Sequence, residues 1–230
     1  MIINGLQKLT LLDYPGKTAC TIFTSGCNFR CPFCHNAPLV LTPGENEVIP
    51  EEEILSFLIK RQGILDGVCI TGGEPLLQPD IEEFIIKVKE LGYMVKLDTN
   101  GSFPDRLSSL IEKGLIDYVA MDIKNTKEKY GETIGIENFD VTPIVKSVEI
   151  LKQNKIPYEL RTTVAKDMHT EDDIMKIGEW LKGDSKYFLQ QYKVSENLLG
   201  SPMESYTETE LKNLANAVTM HLPATSTRGI

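Results

Sequence analysis

The chain has 230 residues, of which 41% are hydrophobic and 25% are charged, and its formal net charge is −9 at pH 7. This composition is ordinary for a globular protein, and the acidic balance argues against nucleic acid as a partner, because such a surface needs an excess of Lys and Arg. No apolar run approaches the ~20 residues that span a bilayer, which argues against a membrane partner.

The stretch 1–17 has no basic start followed by an apolar block, so it does not predict a secretory signal. A β-rich run over 18–25 follows and ends at a cysteine-rich loop. Residues 51–63 then carry apolar side chains at helical spacing and close at Gly63. Further along, strand-like runs alternate with helical patterns over 67–73, 79–92, 93–101, 104–114, 116–125, 142–155, 157–164, 171–183, 186–193 and 207–218.

This alternation predicts an α/β fold built from right-handed βαβ units around a parallel sheet. The sequence offers about six βα units, fewer than the eight of a closed barrel. We therefore expect a partial (open) parallel β/α barrel, with an open doubly wound sheet as the alternative. Since no linker, low-complexity tract or charge block divides the sequence, we expect a single domain over 1–230.

Polar clusters stand at the ends of, or within, five of the strand-like runs. They are the cysteine loop, "TGGEP" (71–75), "DTNG" (98–101), "MDIKN" (121–125) and "LRTT" (160–163). Because the carboxyl ends of parallel strands share one edge of a sheet, these clusters predict one site at that edge.

Three of the five cysteines, Cys27, Cys31 and Cys34, lie within eight residues in the spacing C-x3-C-x2-C. An odd cysteine count without a signal sequence indicates the reducing cytoplasm, where clustered thiols serve metal or redox chemistry. Structural zinc takes four ligands, whereas three thiolates on a 4Fe–4S cluster leave one iron open to another ligand. Cys20 and Cys69 fall inside predicted strands and are expected to be buried. A zinc or iron–sulfur module without catalysis remains the alternative from another class.

The aromatic residue before the third cysteine, Phe33, completes a pattern that resembles the signature of the radical S-adenosylmethionine (SAM) superfamily. Within it, "CPFCHN" (31–36) resembles the activating enzymes of glycyl-radical enzymes. Further elements occur in the order that this family uses: "GGEP" (72–75), "DTNG" (98–101), "DIK" (122–124) and Arg161.

The resemblance implies a 4Fe–4S cluster on the three cysteines and SAM on the open iron. Reduction of the cluster would cleave SAM to a 5′-deoxyadenosyl radical, which takes hydrogen from a glycine of a partner enzyme. The first candidate for that partner is an anaerobic ribonucleoside-triphosphate reductase, with flavodoxin or ferredoxin as the electron donor. The alternative within the superfamily is a small substrate such as a nucleoside or deazapurine precursor.

By the same resemblance, ten residues are expected to bind the cofactor: Phe33, His35, Gly72, Gly73, Glu74, Asp98, Thr99, Asp122, Lys124 and Arg161. The glycine pair suits close approach of the backbone to a ligand. Glu74 is expected to accept a hydrogen bond from the methionyl ammonium, and the backbone of His35 to contact adenine.

The oxygens of Asp98, Thr99 and Asp122 are expected to hold a monovalent cation or to contact the ribose. Capping of turns is the alternative for these three residues. Lys124 and Arg161 would supply positive charge toward the methionyl carboxylate, with surface ion pairing as the alternative.

One member of this group, the activating enzyme of pyruvate formate-lyase, has a histidine near its last strand that contacts the cofactor. At the last predicted strand this chain has Gln190, Gln191 and Tyr192 instead. The two isolated histidines, His169 and His221, are expected at the surface or at helix starts.

Overall fold

The computed structural model describes residues 1–41, 47–195 and 197–230. In these residues eight strands form one sheet in chain order. Their bounds are β1 Ile3–Thr10, β2 Ala19–Thr24, β3 Gly67–Gly72, β4 Met94–Thr99, β5 Tyr118–Asp122, β6 Tyr158–Val164, β7 Lys186–Gln191 and β8 Thr225–Arg228.

The first strand pairs antiparallel with β2, and every later neighbour pairs parallel. Because β1 and β8 are the two ends of the sheet and do not pair with each other, the barrel stays open. The predicted α/β fold with an open parallel barrel is confirmed.

The helices are α1 Ala37–Leu41, α2 Glu51–Ile59, α3 Ile81–Glu90, α4 Pro104–Glu112, α5 Tyr130–Thr133, α6 Thr142–Lys152, α7 Glu171–Leu181 and α8 Glu208–Val218, and a 3₁₀ turn covers Pro75–Leu77. All six predicted helices are present; five end two to four residues before their predicted ends, and α8 ends at the predicted residue. No helix in the described ranges is both long and apolar enough to cross a membrane.

The sequence did not predict β1, β8 or the two short helices. The run "INGLQKLT" of β1 mixes polar, apolar and glycine residues without a clear period, and its register with β2 contains irregularities. Pairing with β2 therefore decides its conformation, and pairing with β7 does the same for β8. Such tertiary contacts override weak local preference.

The two faces of the sheet differ in chemistry. On β4, Val95 and Leu97 are fully buried in the main hydrophobic cluster, which also contains helix residues such as Phe84 of α3. Side chains alternate between the faces of a strand, so Lys96 and Asp98 lie on the opposite face. One face is thus the helix-covered core, and the other carries charged side chains toward the site.

The last helix begins with a capping box that can be tested directly. Thr207 Oγ1 accepts a hydrogen bond from Glu210 N at 3.3 Å, and Glu210 Oε2 accepts one from Thr207 N at 2.7 Å. We predict that Thr207→Ala lowers the free energy of unfolding by about 1 kcal/mol in urea denaturation, because helix donors lose their acceptor. Thr209→Ala, at an exposed position two residues later, is the matched control and should cause no loss. Equal effects of the two substitutions would contradict the assigned cap.

Candidate functional site

A cavity of about 230 Å³ lies where β2, β3, β4, β5 and β6 end. All residues that the sequence singled out for the cluster and the cofactor line it, with the exception of Glu74. Six further residues that the sequence did not single out also line it: Phe29, Asn36, Val40, Thr71, Asn100 and Thr163. The five polar clusters therefore meet at one place, as their positions at strand ends require.

The loop after β2 carries the three thiols, all of them free. Backbone hydrogen bonds shape it: Gly26 N donates to Leu39 O at 2.7 Å, and Cys34 N donates to Cys31 O at 3.0 Å. Phe29 N also donates to the sulfur of Cys27, at 3.4 Å. The loop thus has a defined shape that depends on the protein's own backbone.

A segment that follows β7 packs over this cysteine loop. Gly200 N donates to Pro32 O at 2.8 Å, and Leu199 N donates to Cys34 O at 3.2 Å. A Cβ on Gly200 would lie 2.8 Å from the side chain of Pro32, so only glycine allows this approach. The chain beyond β7 therefore helps to hold the thiols in place.

The arrangement of the thiols fits a multi-iron cluster better than a single ion. In the described residues, no group of three or more His, Cys, Asp or Glu side chains is placed to hold one metal ion, although Cys27, Cys31 and Cys34 all line the cavity. A zinc ion draws its sulfur ligands to ~2.3 Å from one centre, whereas a 4Fe–4S cluster spreads three thiolates over three irons. Three thiolates are the donor set that such a cluster takes when one iron is left for another ligand.

Burial keeps the thiols of Cys27 and Cys31 protonated in the absence of metal. It raises the pKa of Cys27 and raises the pKa of Cys31 to about 12. Only the thiolate binds metal, so incorporation of iron must release protons from this loop. Cys20 and Cys69 are both fully buried in strands, as predicted.

The glycine pair at the end of β3 is required by the protein's own backbone. Gly72 has φ +120°, and a Cβ there would lie 2.3 Å from Thr24 N of β2. A Cβ on Gly73 would lie 1.8 Å from Gly26 O, which also accepts a hydrogen bond from Glu74 N at 2.8 Å. The glycine pair therefore allows a close approach of backbone segments, with Gly72 against β2 and Gly73 against the start of the cysteine loop.

Glu74 lies inside the protein and is bonded to the neighbouring loop. Its side chain is fully buried and its carboxylate is enclosed by protein, accepting hydrogen bonds from Leu76 N at 3.0 Å, Thr99 Oγ1 at 2.8 Å and Asn100 N at 2.6 Å. Burial raises its pKa to about 7, although the three donors favour the charged form. Glu74 thus fixes the "DTNG" loop to the end of β3, and it does not line the cavity.

Asn100 joins that loop to the cysteine loop. Its Nδ2 donates to Asn28 Oδ1 at 2.9 Å, and Asn28 Nδ2 donates to Ser102 Oγ at 2.9 Å. Asn100 Nδ2 also lies 3.9 Å from the sulfur of Cys27. The sequence does not predict this role of Asn100, because Asn and Ser are common in any turn.

A partly buried network of five charged side chains forms one wall of the site. Arg161 joins the two carboxylates: its Nε donates to Asp122 Oδ1 at 2.9 Å and its Nη1 donates to Asp98 Oδ2 at 3.2 Å. Lys124 Nζ donates to Asp122 Oδ2 at 3.0 Å. The ammonium of Lys96 bonds the last oxygen, Oδ1 of Asp98. Each carboxylate oxygen therefore has a cation beside it.

These pairings keep Asp98, Asp122, Lys124 and Arg161 charged. Burial alone would raise the pKa of Asp98 and of Asp122, but the neighbouring cations hold both below the ordinary range. Burial would likewise lower the pKa of Lys124 and of Arg161, but the carboxylates raise both above their ordinary values. Three cations thus face two carboxylates, and the surplus positive charge favours an anionic group in the cavity.

His169 was expected at the surface or at a helix start. It lies two residues before the start of α7, at Glu171, and it is fully buried. Its Nδ1 accepts a hydrogen bond from Ala165 N at 3.3 Å, so Nε2 carries the proton and donates to Lys124 O at 2.7 Å. Its ring also meets Phe33 edge-on, with centroids 6.2 Å apart. A lone histidine gives no sequence signal for such a bridge.

The last predicted strand supports the site from outside. The ring of Tyr192 lies 5.7 Å from the ring of His35, which is exposed and lines the cavity. Tyr192 itself is buried, and its hydroxyl accepts a hydrogen bond from Met203 N at 3.3 Å. Gln191 Nε2 donates to Tyr206 O at 2.7 Å, and Gln190 pairs in register with Thr163. None of Gln190, Gln191 and Tyr192 lines the cavity.

Comparison with known proteins gives a consistent result. The sequence matches the family described as "Radical SAM superfamily" over residues 21–181. It is 35% identical over 220 residues to a Methanocaldococcus jannaschii protein named "Putative glycyl-radical enzyme activating enzyme", covering 93% of this chain and 85% of that protein. It is 26% identical over 192 residues to the pyruvate formate-lyase-activating enzyme of Staphylococcus aureus, covering 78% of this chain and 74% of that enzyme.

Among solved structures, Streptococcus suis SuiB is similar in fold. Its complex with S-adenosylmethionine gives a TM-score of 0.68 at 17% identity, covering 90% of this chain and 49% of SuiB. Its complex with the precursor peptide SuiA gives a TM-score of 0.69 at 17% identity, covering 91% and 48%. This chain spans about half the length of SuiB, and at this identity the likeness concerns the fold alone.

The glycine contact predicts a specific sensitivity. Gly73→Ala should lower the free energy of unfolding by about 3 kcal/mol, because the new Cβ would overlap the carbonyl of Gly26 and displace the cysteine loop. Gly92→Ala is the matched control: Gly92 has φ +88° and no atom within 4 Å of the added Cβ, so about 1 kcal/mol is expected from backbone strain alone. Urea denaturation measures both, and an equal loss in the two variants would show that the contact is unimportant.

The buried His169 predicts a pH dependence of stability. Burial lowers its pKa below the ordinary value, so below about pH 6.5 the unfolded chain binds a proton that the folded ring does not. The contribution of His169 to the free energy of unfolding should therefore fall as the pH falls from 7.5 to 5.5, by at most about 1.4 kcal/mol per pH unit for one proton. His169→Gln lacks this contribution, so the stability difference between wild type and variant should shrink on acidification. A pH-independent difference would refute the assignment.

Proposed function

Because this chain belongs to the radical SAM superfamily, we propose that it generates a glycyl radical on a partner enzyme, using SAM and a 4Fe–4S cluster. The observation that carries the proposal is the convergence of three free thiols and a positively charged wall on one cavity at the strand ends. The expected partner is an anaerobic ribonucleoside-triphosphate reductase. The names of the curated relatives, which refer to activation of glycyl-radical enzymes, support a protein substrate.

In this proposal Cys27, Cys31 and Cys34 hold the cluster. When bound, the cluster would supply the one electron that splits the sulfonium of SAM into methionine and a 5′-deoxyadenosyl radical, and that radical would take a hydrogen atom from the glycine. The protein's task is to hold thiolates and cofactor in a fixed relation, which is the usual division of labour in cofactor enzymes. The hydrogen bonds from Gly26, Gly200 and Asn100 to neighbouring loops serve that task.

The charged wall would orient the cofactor. With one surplus positive charge, Lys124 and Arg161 favour the methionyl carboxylate on their side of the cavity. The backbone at Gly72 and Gly73 lines the cavity, and His35 lies exposed at its surface, where adenine would be contacted. The hydrogen abstraction itself requires no general base from the protein.

The reaction also needs an electron donor and a reducing compartment. An external one-electron donor of the flavodoxin or ferredoxin type would reduce the cluster. All five cysteines are free, which fits a reducing compartment such as the cytoplasm.

The proposal is tested by anaerobic reconstitution with iron and sulfide. Wild-type protein should gain absorbance near ~400 nm from a 4Fe–4S cluster, and on reduction it should form 5′-deoxyadenosine from SAM. Cys31→Ala should lose both properties because one iron loses its thiolate. Cys20→Ala, which removes a buried thiol outside the loop, is the matched control and should keep both. Stoichiometric binding of zinc with no uptake of iron would refute the proposal that this protein is a radical SAM enzyme.

The same preparation tests the partner. Incubation with an anaerobic ribonucleoside-triphosphate reductase and SAM should produce a glycyl-radical signal in electron paramagnetic resonance. If 5′-deoxyadenosine forms but no candidate glycyl-radical enzyme acquires the signal, the substrate is a small molecule such as a nucleoside or deazapurine precursor. If the cluster assembles and no SAM is cleaved, the chain is a non-catalytic iron–sulfur module.

A further inference from the structure

The expected cation ligands are already bonded within the protein. Asp98 and Asp122 use all four carboxylate oxygens for Lys96, Lys124 and Arg161. The third expected ligand is Thr99, whose hydroxyl donates to Glu74 and accepts from Gly101 N at 3.1 Å. These residues therefore do not fit a monovalent cation as they stand.

Lys96 is the unusual member of this set. It lies in the middle of β4 with only 1% of its side chain exposed, two residues before Asp98 on the same face of the strand. A buried ammonium is retained only where an opposite charge compensates its lost hydration. Asp98 provides that charge, and the remaining close contact of Nζ is the thiol of Cys69 at 3.8 Å.

The charge balance argues in the same direction. A site of two carboxylates would attract a cation, but Lys96, Lys124 and Arg161 already exceed the carboxylates by one charge. A further cation would meet repulsion that water screens poorly in this buried wall. Within the described residues, no other cluster of acidic or metal-binding side chains offers a site for one.

We propose that the ammonium of Lys96 supplies the positive charge that a monovalent cation was expected to supply, so that this protein binds SAM without such a cation. The inference rests on the proposed function, since it concerns the same cofactor. It assigns to Lys96 the role of a positioning residue: through Asp98 and Arg161 it holds the charged wall in the arrangement that receives the cofactor.

The first test uses the wild-type protein reconstituted with its cluster. The affinity for SAM is measured by calorimetry in potassium chloride, sodium chloride and tetramethylammonium chloride at equal ionic strength. We expect the three dissociation constants to agree within about twofold. A loss of about tenfold or more in tetramethylammonium chloride would overturn the proposal, because tetramethylammonium is too large to replace a coordinated ion.

The second test removes the ammonium. Lys96→Met keeps a long apolar side chain and leaves Oδ1 of Asp98 without a cation. We expect its SAM affinity to fall about tenfold in tetramethylammonium chloride and to recover with potassium or sodium. Lys113→Met, at an exposed lysine paired with Glu82, removes the same charge elsewhere and should behave as wild type. Wild-type affinity of Lys96→Met in tetramethylammonium chloride would overturn the role of Lys96.

A third readout needs neither cluster nor SAM. The melting temperature of Lys96→Met without iron should rise when potassium replaces tetramethylammonium, and that of the wild type should not change. A rise in the wild type would itself overturn the proposal, so the test holds even if the variant folds poorly. Failure of the proposed function shows separately, as a wild-type protein that assembles no cluster or cleaves no SAM.

Discussion

The bridge that Arg161 makes between Asp98 and Asp122 is the interaction on which the arrangement of the site depends. These three side chains come from β6, β4 and β5, so the bridge ties three strand ends together on the charged face of the sheet. Buried charges are tolerated only as well-bonded pairs. Here each carboxylate oxygen of Asp98 and Asp122 has a cationic partner. Lys96 and Lys124 complete the set and leave one positive charge in excess. The open barrel can therefore keep a polar face inside without losing its fold.

A second set of contacts holds the backbone around that wall. The buried carboxylate of Glu74 fastens the turn at Thr99 and Asn100 to the end of β3, and Gly73 lets the cysteine loop lie against it. The cysteine loop is also held from the other side by the segment around Gly200. Loops are usually the mobile part of a parallel barrel. Here they are bonded to one another, which suits a site that must keep a redox group and a cofactor in fixed relation.

The site is asymmetric in chemistry, and this asymmetry fits the function that we propose. Thiols, aromatic rings and an exposed histidine lie on the side of the cysteine loop, while fixed charges lie on the side of β4 to β6. A ligand with a carboxylate at one end and an apolar, aromatic part at the other would be oriented by such a cavity. His169 connects the two sides, because it bonds the backbone of Lys124 and packs against Phe33.

The sequence by itself determined the strand–helix alternation, the three thiols and the polar residues at strand ends, because each follows from local spacing: helical period, cysteine separation and the shared edge of parallel strands. It could not determine β1 and β8, whose weak patterns become strands only through pairing with β2 and β7. Nor could it assign Glu74, His169 and Lys96. Glu74 bonds Thr99, 25 residues away, and His169 bonds Lys124, 45 residues away. Lys96 bonds Asp98 only two residues away, but its role depends on burial that no local pattern encodes. The tertiary structure decided which oxygens remain free and which are already bonded, because only the packed sheet brings those partners within hydrogen-bond distance.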